Sequence, residues 1–83
     1  MRRKHLKTLA AVLSDPPRAN ILWSDIESMI AGLGGDIREG AGSRVTAALN
    51  GAAATFHRPH PQKEATKDMI RNVRTFLVRA GVN

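Results

Sequence analysis

The side chains best able to move a proton or hold an anion in this 83-residue chain are three histidines and thirteen lysines and arginines; cysteine is absent. One stretch brings two of these groups together. Ser43 to His57 reads Ser-Arg-Val-Thr-Ala-Ala-Leu-Asn-Gly-Ala-Ala-Ala-Thr-Phe-His. Asn50-Gly51 accepts positive φ at both centres of a type I′ turn, so the alternating runs on either side form a hairpin with a two-residue loop. Counting outward, Leu49 faces Ala52, Ala47 faces Ala54 and Val45 faces Phe56 on an apolar face. Ala48 faces Ala53, Thr46 faces Thr55 and Arg44 faces His57 on the other face. Arg44–His57 falls in the non-hydrogen-bonded class of pairs, whose Cα atoms lie roughly 4.5 Å apart. A neutral imidazole can take a hydroxyl proton. A guanidinium beside it favours the neutral form and can meet negative charge on a phosphoryl group. Those are the two requirements of RNA cleavage, in which a 2′-hydroxyl is deprotonated and charge builds on phosphorus. The plainer reading is two solvated neighbours on a sheet surface.

Other candidate groups follow the hairpin. Arg58, His60 and Lys63 flank a proline-broken segment, and Lys67, Arg71 and Arg74 recur at i, i+4, i+7 as a basic ridge on the last helix. All six are candidate RNA contacts, the alternative for the ridge being a solvated helix face. His57 and His60 have no third ligand nearby, so no metal site is expected. His5 lies in a basic N-terminal helix and is expected to be solvated. No phosphate-binding glycine loop or nucleophile elbow occurs, and no cofactor is called for.

The elements that position these groups read as follows. Leu6, Leu9, Ala10 and Leu13 recur at helical spacing, which predicts a helix from about Arg3 to Ser14, stopped by Asp15-Pro16-Pro17. Arg18 to Asn20 is loop, and Ile21-Leu22-Trp23 a short extended approach. Ser24-Asp25-Ile26-Glu27 has the form of a capping box that starts a second helix. Ile26, Met29, Ile30 and Leu33 make its buried stripe, and Gly34-Gly35 ends it. Asp36 to Glu39 is a short strand with Ile37 inward, and Gly40-Ala41-Gly42 turns into the hairpin. Pro59 and Pro61 remove ladder donors, so the chain leaves the sheet there. The last helix starts near Thr66, buries Met69, Ile70, Val73, Phe76, Leu77 and Ala80, and ends at Gly81. The order α-α-β-β-β-α predicts a two-layer α+β domain: a three-stranded antiparallel sheet with its helices on one face and the other face open.

The totals bound the rest. The length suits one domain. Thirteen bases against seven acids give a formal charge of +6, which favours a polyanionic partner, usually nucleic acid. The charge is segregated: Arg2, Arg3, Lys4 and Lys7 open the chain, while Asp25, Glu27, Asp36 and Glu39 cluster in the middle. The absence of cysteine agrees with a cytoplasmic protein. No apolar run is long enough to cross a bilayer. Arg2-Arg3 loosely resembles a twin-arginine export signal, but Leu9 to Leu13 is too short for a signal core.

From about Trp23 to Val82 the chain resembles the HicA family, the small ribonuclease toxins of HicA–HicB type II toxin–antitoxin pairs. The resemblance is carried by the Ser24–Glu27 helix ending in Gly34-Gly35, by Gly42-Ser43-Arg44-Val45, by Phe56-His57-Arg58-Pro59-His60-Pro61 and by the terminal Arg79-Ala80-Gly81-Val82. It implies a double-stranded-RNA-binding-like fold over residues 21–82, with residues 1–17 as an additional N-terminal helix of a single domain, 1–83. It also implies metal-independent cleavage of mRNA and a HicB-like antitoxin that covers the active face. The family's catalytic histidine normally follows Gly-Ser on the second strand, where this chain has Arg44. The expected catalytic pair is therefore His57, from the neighbouring strand, with Arg44. The alternative is a module that binds RNA or antitoxin and has lost cleavage.

Overall fold

A computed structural model describes residues 2–16, 18 and 20–82. Pro17 and Ala19, within the expected stop and loop, lie outside the described residues, as do Met1 and Asn83. The elements are α1 (Arg3–Leu13), α2 (Trp23–Gly32), β1 (Asp36–Glu39), β2 (Arg44–Leu49), β3 (Ala52–His57) and α3 (Lys67–Arg79). The strands form one antiparallel sheet in the order β1-β2-β3. This is the predicted α-α-β-β-β-α arrangement. No helix among the described residues is long and apolar enough to cross a membrane.

The hairpin sets the sheet. Asn50 has φ 49° and Gly51 φ 84°, the paired left-handed conformation of a type I′ turn. All six β2–β3 pairs, from Leu49↔Ala52 out to Arg44↔His57, have the register counted from the sequence. Val45, Ala47, Leu49, Ala52 and Phe56 are buried, whereas Arg44, Ala48, Ala53, Thr55 and His57 are exposed. Phe56 lies between Trp23 (ring centroids 5.5 Å apart) and Phe76 (6.1 Å, near-perpendicular), so the three rings tie β3 to both α2 and α3. The side chain of Asn50 also reaches the other layer: its Nδ2 donates to the Ala80 carbonyl at 2.9 Å. That bond satisfies a backbone acceptor at the end of α3.

Helix α3 begins as expected. Thr66 is the N-cap, and its hydroxyl accepts from the Met69 amide at 3.2 Å. Ile70, Val73, Phe76 and Leu77 are buried, and Gly81 takes φ 79° just beyond the end. Met69, on the expected stripe, is half-buried at its margin.

Helix α2 corrects the capping-box expectation. It starts at Trp23, with Leu22 as N-cap and no side-chain cap. The Trp23 amide instead donates to the Lys63 carbonyl, and the Ala65 amide donates to the Ile21 carbonyl. Leu22 and Glu64 form an antiparallel bridge. The returning 58–66 segment thus supplies an acceptor for the first amide of the helix, which begins one residue before the expected Ser24 cap. Glu27 is freed for another partner.

Helix α1 spans its predicted range but is rotated from its predicted stripe. Thr8 and Val12 are buried, while Leu6 is 52% exposed and Ala10 is exposed. The Thr8 hydroxyl can be buried because it donates to the Lys4 carbonyl at 3.2 Å. His5, expected to be solvated, is half-buried against Gly32, and its Nδ1 is buried without a hydrogen-bond partner among the described residues. Lys4 meets Asp25 at 3.2 Å. α1 therefore rests on α2 and α3 rather than on the sheet.

Candidate functional site

The exposed sheet face is a low platform. Side chains alternate with period two, so Thr46, Thr55, Ala48 and Ala53 stand on one side of it, and none is long. The Thr46 and Thr55 hydroxyls share a hydrogen bond of 3.1 Å across the strands. Arg44 and His57 face each other at the open end of the hairpin. Beyond them the Arg58 amide donates to the Ser43 carbonyl at 2.9 Å. That bond makes Ser43–Arg58 a hydrogen-bonded pair and leaves Arg44–His57 in the closer, non-bonded class. Both side chains are exposed, and among the described residues neither makes a hydrogen bond or ion pair. Across from Arg44 on its other side the Gly40 amide donates to the Arg44 carbonyl, and Gly40 has no side chain to cover that flank. The pair therefore has the bare backbone of Gly40 beside Arg44 on one side and the open edge of the sheet beside His57 on the other.

A third cation joins this face. Ile37 is turned inward, so Arg38 is turned outward, and it pairs in register with Thr46. That sets it diagonal to Arg44, about 7–8 Å away between backbone positions. Arg38 Nε donates to Asp36 at 3.2 Å in an exposed contact. The inward Ile37 was the available signal for Arg38.

Arg58 has a different setting from the one expected. Its Nε and Nη2 bind the two oxygens of Glu27 at 2.8 and 3.1 Å, and its Nη1 binds Glu39 at 2.7 Å. The Trp23 indole N–H donates to the same Glu27 carboxylate. The hydrogen bonds to Glu27, and then the one to Glu39, raise the Arg58 guanidinium above its ordinary pKa. Its charge is committed to two carboxylates, and its role is to fix the strand end that carries His57. Arg58 links three elements: the exit of β3, the first turns of α2 and the end of β1.

The remaining expected contacts lie elsewhere. Lys63 lines a depression of about 460 Å³ with Trp23, Glu27, Arg58 and Pro59. His60 is exposed on the same returning segment. Lys67, Arg71 and Arg74 lie on the outer side of α3, whose opposite side is buried against β3 and the core. The ridge therefore does not share a surface with Arg44 and His57, and it cannot hold the same phosphate as they do. Among the described residues no three His, Cys, Asp or Glu side chains converge as a metal site.

No family model, curated protein or solved structure matches this chain.

Proposed function

We propose that this chain is a ribonuclease toxin of HicA type, which cleaves mRNA on its open sheet face without a metal and is held in check by a HicB-like antitoxin. The observation that carries this reading is the Arg44–His57 pair, side by side and unencumbered, on a sheet face that no helix among the described residues covers. In the proposed reaction the His57 imidazole takes the proton of a 2′-hydroxyl. The 2′-oxygen bonds to phosphorus as the bond from phosphorus to the 5′-oxygen breaks. The leaving 5′-oxygen takes a proton from water, the resulting hydroxide takes back the proton held on His57, and the other product ends in a 2′,3′-cyclic phosphate. Arg44 meets the charge that develops on the phosphoryl oxygens, with Arg38 nearby on the same face. The short Thr and Ala side chains between the strands let a ribose-phosphate backbone lie close to the sheet.

The test is growth on induced expression, with cleavage of RNA by the purified protein in excess chelator. Wild type should arrest growth and leave cyclic-phosphate ends. His57→Ala should keep its fold and lose about 10²- to 10⁴-fold in cleavage rate. An unchanged rate in folded His57→Ala removes His57 from the mechanism. The second reading, RNA binding without cleavage, is favoured by the arginine that follows Gly42-Ser43. It predicts salt-dependent RNA affinity in wild type with no cleaved product.

A further inference from the structure

We infer that the outer face of α3 is a docking surface for an acidic, amphipathic segment of a partner protein, separate from the open sheet face. Arg71, Arg74, Thr75 and Val78 follow one another at helical spacing, with Arg79 beside them, around a shallow depression of about 420 Å³. Val78 is 53% exposed, one of three large apolar side chains among the described residues left in solvent. The arginines surround it. Arg71 binds only Asp68, in a contact exposed on both sides. Arg74 and Arg79 meet no carboxylate among the described residues.

The combination selects the occupant. Phosphates need cations and gain nothing from an exposed valine. An apolar contact ringed by guanidiniums fits a segment that presents an apolar side chain between carboxylates, each of which an arginine can grip bidentately. Arginine is enriched at interface centres. The thirteen residues of α3 span about 20 Å at 1.5 Å per residue, enough to lie along roughly three turns of a facing helix. The surface stands apart from Arg44 and His57, so the inference does not depend on the ribonuclease reading.

The test uses the full chain and two probes: a three-turn helical peptide with a leucine stripe flanked by glutamates, and a mixed-sequence single-stranded RNA of similar length. Binding is followed by backbone amide shifts in NMR. The acidic peptide should shift Arg71, Arg74, Thr75, Val78 and Arg79 saturably and leave Arg44 and His57 unmoved. Arg74→Glu with Arg79→Glu, and separately Val78→Ser, should each weaken the peptide about tenfold, and so should glutamine in place of the peptide's glutamates. Val78 and Arg79 are exposed and Arg74 is half-buried, and an unchanged amide spectrum elsewhere verifies that the variants are folded. Three results overturn the inference: no localised shift with the peptide, indifference to Val78→Ser, or RNA bound at these residues more tightly than the peptide. The last would make the surface a phosphate track.

Discussion

Replacing Glu27 by alanine should destabilise the domain far more than replacing Glu39, although the bond from Arg58 to Glu39 is the shortest of the three, at 2.7 Å. Exposure decides the order. The Glu39 side chain is 72% exposed and that of Glu27 only 20%, with Arg58 at 33%. Solvent-exposed ion pairs contribute about 0–1 kcal/mol, whereas breaking a fully buried pair costs about 3–5 kcal/mol. A two-pronged bond at intermediate burial falls between, at about 2 kcal/mol. Glu27→Ala also leaves the buried Trp23 indole N–H without its acceptor, a further cost of about 1 kcal/mol or more. The sum is about 3 kcal/mol against at most about 1 kcal/mol for Glu39→Ala. At about 4–8 °C per kcal/mol for a domain of this size, that is roughly 12–24 °C against a few degrees. Urea unfolding of both single variants, and a double-mutant cycle of Glu27→Ala with Arg58→Ala, provide the measurement. The cycle should give a coupling near 2 kcal/mol. Because Arg58 is raised from its ordinary pKa, its contribution is present below that ordinary value and is lost only in strong alkali. The coupling should therefore be the same at about pH 7 and pH 9, both below the ordinary guanidinium pKa. Equal costs for Glu27→Ala and Glu39→Ala, or a vanishing coupling, would refute the reasoning.

Three further outcomes are expected. Gly32→Ala, which in an exposed helix would add up to about 1 kcal/mol of stability, should instead destabilise by about 1 kcal/mol through overpacking: its Cβ would collide with the His5 ring at Nδ1. Adding His5→Ala should reverse the sign in thermal melts. Asn50→Asp keeps a residue tolerant of the left-handed turn but cannot donate to the Ala80 carbonyl, so it should cost about 1 kcal/mol and increase amide exchange at Gly81 and Val82, while Asn50→Ala should cost more. Arg44→Ala should lower RNA cleavage about 10²-fold with little change in melting temperature; equal cleavage by the variant would remove Arg44 from the charge-stabilising role.

What the sequence determined is what neighbouring residues decide among themselves. The φ values of Asn50 and Gly51 and the period-two alternation around them are local, so the sheet register, and with it the Arg44–His57 juxtaposition, was legible without tertiary information. The start of α3 near Thr66, its apolar stripe and the glycine stop of α2 were legible for the same reason. The tertiary structure decided every case in which a group had a choice of partners. Glu27 had the spacing for a reciprocal cap on Ser24, worth about 1 kcal/mol, but Arg58, thirty-one positions along the chain, offers a charged, two-pronged bond. α1 had apolar residues on more than one side, and its rotation was settled by the bare Gly32 that admits His5. The ridge of Lys67, Arg71 and Arg74 was visible as a periodicity, but a period carries no information about which layer lies opposite. Only the packing of α3 on β3 placed those cations away from the sheet face that bears the histidine.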